Sequence, residues 1–188
     1  MIASRGCSRA ILWVGLLSGL LAANGVAAPR EIYSARPIPR GVQVDLLRVF
    51  KKRHRMEAWS GKRLLKVYKI VIGRGGEGHK RFEGDGKTPE GRYSVDRRHH
   101  SRKFHRFLHL SYPNAQDRAA FRRARRAGKL PAKARIGGAI GIHGAKRGWR
   151  WLPQKWIDWT GGCVAVDDDE SEELYRAVKP GAVVQIRP

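Results

Sequence analysis

Hydrophobic and polar residues alternate along much of the first half of the chain. The alternation over 41–50, 55–60 and 63–73, rich in β-branched and aromatic residues, predicts three β-strands joined by short turns. Two further strands are predicted at 92–98 and 107–113. Consecutive strands separated by short turns are typical of hairpins, so we expect antiparallel pairing to dominate the fold.

A helical pattern occurs twice. Asn114 is the predicted N-cap of a helix over 114–129, with Asp117 in its first turn. The acidic run that begins at Asp167 predicts a second, short helix, because carboxylates are favoured near a helix N-terminus. Short strands complete the pattern at 139–144, 164–166 and 181–188. The expected class is therefore mixed α/β and predominantly β, with one or two short helices.

The N-terminal segment differs in composition from the rest. Arg5 and Arg9 precede an apolar run over 10–23, and small residues follow it. This order is typical of a secretory signal peptide, and the run is short for a membrane span of about 20 residues. An uncleaved membrane anchor is the alternative. We expect an exported protein without a stable membrane span after cleavage, in the periplasm or cell-wall space. The expected boundaries are a signal peptide at 1–28, an extended lead-in at 29–40 and one domain at 41–188.

The charge of the chain is strongly positive. Its 39 Lys and Arg residues against 16 Asp and Glu give a formal net charge of +23. Such a field favours polyanionic partners: nucleic acid, anionic lipid headgroups or an acidic cell-wall polymer. Because we expect the protein to be exported, nucleic acid is the least favoured of these partners, and no nucleic-acid partner is predicted. The five arginines of the first helix are interpreted as a solvated face.

The mature chain would hold one cysteine. Cys7 leaves with the signal peptide, which leaves Cys163 at the end of the sequence TGGC. An unpaired cysteine in an exported protein indicates an intermolecular bond or a reactive thiol, with a small buried side chain as the alternative. The preceding glycines allow a tight turn in which the N–H groups of Gly162 and Cys163 point at a developing oxyanion.

A thiol nucleophile needs a base, and His143 is the best placed of seven histidines. It ends an apolar strand and is flanked by glycines in GIHG. A core histidine bonded to backbone is the alternative. A zinc site formed by His143 and Cys163 lacks further ligands at a suitable spacing, so we predict neither metal nor cofactor.

Three separated motifs resemble the L,D-transpeptidase catalytic domain family. They are IHG at 142–144, TGGC beginning 17 positions after His143, and the loop GHKRFEGDGKTPEGRYSV at 78–95. The resemblance implies a β-sandwich-like fold that acts on peptidoglycan stem peptides. It also implies that Cys163 is the nucleophile and His143 the general base.

Other roles carried over by the resemblance concern the residues around this pair. The carbonyl of Gly144 orients the imidazole, while Thr160, Gly161 and Gly162 form the turn and oxyanion hole. Many relatives have His where Gly161 stands and Arg where Ala165 stands. The missing arginine is a candidate binder of the substrate carboxylate, and another basic residue is the expected substitute. The candidate substrate-binding residues are His79, Lys80, Arg147 and Arg150.

The reaction implied is acyl transfer from a tetrapeptide stem with release of D-alanine. The acyl-enzyme then passes to an amine acceptor, or to water in an L,D-carboxypeptidase or murein peptide amidase using the same residues. Four tryptophans lie in the loop between His143 and Cys163 and favour a covered cleft, hence an amine acceptor. They are Trp149, Trp151, Trp156 and Trp159. A non-catalytic basic envelope-binding module is the alternative of another class.

Overall fold

The computed structural model describes residues 36–148 and 157–188 of the chain. Within these residues lie eight strands and two helices. In chain order they are β1 (Val44–Phe50), β2 (Arg55–Ser60), β3 (Arg63–Lys69), β4 (Gly91–Ser101), β5 (His105–Leu110), α1 (Ala115–Arg126), β6 (Gly141–His143), β7 (Val164–Ala165), α2 (Asp168–Ala177) and β8 (Val178–Arg187). The predicted class, predominantly β with two helices, is confirmed. The predicted signal peptide, most of the lead-in and part of the tryptophan-rich loop lie outside the described residues.

The strands form one curled sheet in the order β3-β2-β1-β8-β4-β5-β6-β7. The C-terminal strand β8 lies between β1, to which it is parallel, and β4, to which it is antiparallel. Beyond β3 the chain reaches the far edge, where Val71 bridges Ala165 and Gly73 bridges Thr160. The two ends of the sheet therefore meet, and they meet beside Cys163.

Several predicted bounds shift for tertiary reasons. The predicted strand 63–73 belongs to β3 only as far as Lys69, because its last residues leave β2 and bridge β7 and the segment before it. The predicted strand 107–113 ends at Leu110, after which Ser111 donates a hydrogen bond to the carbonyl of Ser94. The last strand begins at Val178, directly after α2, three residues earlier than predicted.

The two helices begin as their cap residues predict. Asn114 accepts a hydrogen bond from the Asp117 N–H, and the Asp117 carboxylate accepts one from the Asn114 N–H. A second capping box joins Asp167 and Glu170 at the start of α2. Helix α2 packs on β5, β6 and β8, whereas α1 buries one residue, Asp117. Among the described residues, no helix is long and apolar enough to cross a membrane.

The core is lined by side chains from the sheet and from α2. Its largest fully buried members include Tyr68, Leu47, Leu108, Ile142 and Leu174. Burying each of these side chains stabilises the fold by roughly 1.5–3 kcal/mol before conformational entropy is counted. His143 is buried at the margin of this core, so the packing that stabilises the sheet also holds the imidazole in place.

Candidate active site

His143 is held by backbone pairing on both sides. It is the last residue of β6, paired with Phe107 of β5 and with Ala165 of β7. The side chain is 1% exposed, and its Nδ1 lies 2.7 Å from the carbonyl oxygen of Gly144. Because a carbonyl only accepts, Nδ1 carries the proton and Nε2 is left as an acceptor.

Aromatic rings enclose the imidazole. Phe104 stacks on it with ring centroids 4.2 Å apart, Phe107 stacks at 5.6 Å, and Trp159 is tilted against it at 5.7 Å. Burial among these rings lowers the pKa of His143 to about 4, although the Gly144 carbonyl acts in the opposite direction. The imidazole is therefore neutral at pH 7.

Cys163 directly precedes β7, the strand that pairs with the strand of His143. Since Ile142 pairs with Val164 and His143 with Ala165, Cys163 stands opposite Gly141, two residues before His143. The thiol donates a hydrogen bond to the carbonyl of Ala139 at 3.6 Å. The pairing of β6 with β7 thus brings together the two segments that carry His143 and Cys163.

The Cys163 thiol is protonated at neutral pH. Burial raises its pKa to about 11, while the Gly141 N–H and the charge of Lys80 act against that rise. Thiol and imidazole are both neutral at pH 7, so the site does not hold a preformed ion pair. A thiol beside a neutral base becomes a strong nucleophile only as its proton moves to that base.

The turn before Cys163 depends on Thr160 and on one glycine. The Thr160 hydroxyl donates to the Cys163 carbonyl at 2.7 Å and accepts from the Gly162 N–H at 3.1 Å. Gly162 has a φ of +133°, and a Cβ there would lie 2.6 Å from the Lys87 carbonyl oxygen. Gly161 faces open space, where a Cβ would meet nothing within 4 Å. Of these two glycines, only Gly162 lies at a position where the backbone conformation requires glycine.

The glycine-rich loop packs against this turn. A Cβ on Gly73 would lie 2.0 Å from the Gly86 carbonyl oxygen and 3.0 Å from the Gly162 Cα, so three backbone segments meet without side chains between them. Within the loop, Lys80 is 4% exposed and pairs with Asp85 at 2.8 Å. The charge of Lys80, which lowers the pKa of the Cys163 thiol, is therefore buried and paired with the carboxylate of Asp85.

Asp85 organises the tip of that loop. Its carboxylate accepts from Lys80 and from the N–H groups of Arg81, Phe82 and Lys87. Burial opposes ionisation, but these donors outweigh it and hold the pKa of Asp85 below its usual range. The aspartate of the GDG motif thus acts as the turn's internal acceptor.

His79 faces helix α1. Its Nε2 lies 3.2 Å from an Asp117 oxygen, and its Nδ1 accepts from the Glu90 N–H at 3.0 Å. The Asp117 contact raises the pKa of His79, although burial acts against it. A substrate-binding role for His79 stays a prediction; its position ties α1 to the glycine-rich loop.

Arg147 is exposed and lines a cleft of about 330 Å³ beside Gly144. Its N–H donates to the Lys103 carbonyl at 2.8 Å, which joins this segment to the β4–β5 hairpin. Other residues lining the cleft are His100, Ser101, Arg102, His105, Ala145 and Asp168. Arg150 lies outside the described residues, as do Trp149, Trp151 and Trp156.

Sequence reasoning missed two supports of the site. Phe104 lies at the tip of the β4–β5 hairpin, where nothing local marks it as a neighbour of His143. Asp158 accepts from the Ile72 N–H at 2.9 Å and pairs with His54 at 3.0 Å, anchoring the chain just before Thr160. Among the described residues, no three His, Cys, Asp or Glu side chains converge as metal ligands would.

Comparison with known proteins points to one family. The model of the L,D-transpeptidase catalytic domain family matches residues 42–186. Over 58 residues the chain is 43% identical to YafK of Escherichia coli K12, whose name ascribes it to the L,D-transpeptidases; the match covers 30% of this chain and 24% of YafK.

Solved structures share the fold at low sequence identity. The helical cell shape determining protein Pgp2 of Campylobacter jejuni is 22% identical, with a TM-score of 0.54 over 82% of this chain and 52% of that one. The L,D-transpeptidase of Enterococcus faecium is 13% identical, with a TM-score of 0.50 over 78% of this chain and 50% of that one. The chain thus spans about half the length of these solved chains.

Proposed function

Because the chain belongs to the L,D-transpeptidase catalytic domain family, we propose that it is an exported enzyme that transfers acyl groups of peptidoglycan stem peptides through Cys163. The observation that carries the proposal is that Cys163, at the end of a turn of glycines, directly precedes the strand that pairs with His143. The proposed reaction uses no metal or cofactor.

The first step activates the thiol. The Sγ–H leaves the Ala139 carbonyl and turns to Nε2 of His143, which is free to accept because Nδ1 donates to Gly144. As sulfur attacks the carbonyl carbon of the third stem residue, its proton passes to Nε2. Attack and proton transfer are concerted, since the isolated thiolate and the isolated imidazolium are both disfavoured by burial.

The tetrahedral intermediate carries a negative oxygen that needs donors. The Gly162 N–H is already bonded to Thr160, so we assign the oxyanion to the N–H of Cys163 itself. The Lys80 charge, although paired with Asp85, also favours negative charge at the thiol, since it opposes the burial that keeps the thiol protonated. Thr160 then has a structural role: it holds the turn in the conformation that aims this N–H.

Collapse of the intermediate breaks the bond to D-alanine. The imidazolium of His143 returns its proton to the leaving amine, which leaves a thioester on Cys163 and a neutral base. An incoming amine gives up its proton to Nε2, attacks the thioester and restores the thiol. Water in place of the amine gives a tripeptide by hydrolysis.

The cleft beside Gly144 is our candidate for holding acidic groups of the stem peptide. Arg102 lines it two residues before Phe104, whose ring stacks on His143. Arg147 lines it three residues after Gly144, whose carbonyl accepts from His143. Guanidinium groups bind carboxylates through two parallel hydrogen bonds, so this cleft substitutes for the arginine that many relatives have at Ala165.

The test uses tetrapeptide muropeptides with an excess of amine acceptor. The wild-type protein is expected to give cross-linked dimers or exchanged D-amino acids. Cys163→Ala is expected to abolish both while the protein keeps its melting temperature within a few degrees, because the change removes the covalent route and little packing. A carbapenem adduct on the intact protein, absent from Cys163→Ala, locates the acylated residue by mass.

Three results would decide against this proposal. If tripeptides accumulate and no acyl exchange occurs even with excess amine, the enzyme is a hydrolase using the same residues. If Cys163→Ala processes muropeptides at the wild-type rate, the thiol is not the nucleophile. If the wild-type protein itself leaves the muropeptides unchanged, the basic envelope-binding module becomes the better hypothesis.

A further inference from the structure

Helix α1 carries a concentration of positive charge that the proposed reaction does not use. The segment 114–135 holds eight Lys and Arg residues and one acidic residue, Asp117. That carboxylate is buried and bonded to Asn114, His79 and Tyr93, so it does not neutralise the outer face of the helix.

The cations are arranged by the helical repeat. Arg118, Arg122 and Arg126 follow one another at intervals of four residues, which places them on one side of α1 along about 12 Å of its axis. All three are exposed, and none makes an ion pair or hydrogen bond with another side chain among the described residues. We call these three residues the arginine stripe.

The inner face of α1 points the other way. Ala120, Phe121 and Ala124 line a small cavity of about 70 Å³ with His79 and Tyr112, and the single buried residue of the helix lies on the same side. The half-buried packing of this face and the contacts of Asp117 with His79 and Tyr93 fix the orientation of α1, so the fold itself holds the arginine stripe facing solvent.

Helix stability accounts for one member of the stripe, Arg126, and not for the other two. Basic residues in the last turn interact favourably with the helix dipole, and that explains Arg123, Arg125 and Arg126. Arg118 lies near the N-terminus, where positive charge is unfavourable, and Arg122 lies before the last turn. Like charges four residues apart also repel each other. Because the arginine stripe destabilises the helix, we expect it to serve a contact with a negatively charged partner.

We propose that the arginine stripe docks the protein on an anionic phospholipid surface. A straight row of guanidinium groups on a helix that can lie flat matches a plane of phosphate headgroups, and clusters of basic residues on a helix are typical of proteins that bind such lipids. The large hydrophobic residues exposed in the described part of the chain, Leu64 and Ile157, lie outside α1. Docking is therefore electrostatic and reversible, without insertion of the helix.

The test measures binding of the purified protein to vesicles of phosphatidylglycerol mixed with phosphatidylcholine, and to phosphatidylcholine alone. The stripe variant is Arg118→Gln/Arg122→Gln/Arg126→Gln, which keeps good helix formers. The control variant removes the same charge from exposed strand turns. It is Arg53→Gln/Lys62→Gln/Arg63→Gln.

We expect the wild-type protein to bind anionic vesicles and not neutral ones, with binding that weakens as salt is raised. The stripe variant is expected to bind on the order of a hundredfold more weakly, and the control variant within a few-fold of wild type. Circular dichroism checks that the stripe variant keeps its helix. A triple Arg→Lys variant at the same positions should retain binding, which separates charge from folding.

Three outcomes overturn the inference. Equal weakening of the stripe and control variants would mean that total charge, not α1, is responsible. Equal binding to neutral vesicles would place the membrane contact elsewhere. Binding to long-chain inorganic polyphosphate without binding to anionic vesicles would assign the stripe to a soluble polyanion instead of a lipid surface.

Discussion

Lowering the pH from 7 to 4 protonates His143 in the unfolded chain before it protonates in the fold. The folded pKa is lowered to about 4 by burial, against an ordinary value of 6.5. Between these values the unfolded state binds more protons than the folded state, so stability is lost as the pH falls through this window. The loss from this single residue is about 3 kcal/mol at pH 4, since each pKa unit corresponds to about 1.4 kcal/mol.

The assay compares denaturant unfolding of wild type and His143→Gln at pH 7 and pH 4. The substitution disturbs packing at both pH values, but only wild type suffers the extra loss from His143, so the free energy of unfolding should fall by about 3 kcal/mol more in wild type. His99→Gln, at an exposed histidine, is the control and should follow wild type. Equal pH-dependent losses in wild type and His143→Gln would refute the argument that burial keeps this imidazole neutral.

Further predictions concern the turn and the loop beside the thiol. Gly162→Ala is expected to cost about 1–3 kcal/mol of stability through backbone strain, measured by thermal unfolding, while Gly161→Ala changes little; equal effects would contradict the geometry. Thr160→Val should cost about 1–3 kcal/mol because two backbone groups lose their partner, with Thr160→Ser restoring most of it. His79→Gln should destabilise the protein more at pH 5.5 than at pH 9. The raised pKa of His79 means that its pairing with Asp117 is complete at low pH and is lost as the pH rises through the folded pKa; a larger loss at pH 9 would reverse that sign.

The local elements could be predicted from the sequence because their determinants are local. The alternation around β1 and β2 and the Asn114 cap of α1 act within a few residues, and the structure has these elements at nearly the predicted positions. His143 and Cys163 were singled out by motif and spacing, and β6 and β7 bring them to adjacent strands. Their catalytic roles remain a proposal.

Strand order and the surroundings of the site could not be predicted in this way. Nothing local indicates that β8, from the C-terminus, inserts between β1 and β4, or that the sheet curls until its ends meet near Thr160. These contacts join residues far apart in the chain, and they depend on which hydrophobic faces pack together.

The electrostatic state of the site was likewise decided by the tertiary structure. Sequence alone determined that the chain contains a thiol, an imidazole and a basic loop at a family's spacing. Only packing placed Phe104 on His143 and buried Lys80 beside Asp85, and these placements set the pKa of the imidazole and the field at the thiol. A pKa depends on burial and on charges within a few ångströms, and neither is a property of sequence neighbours.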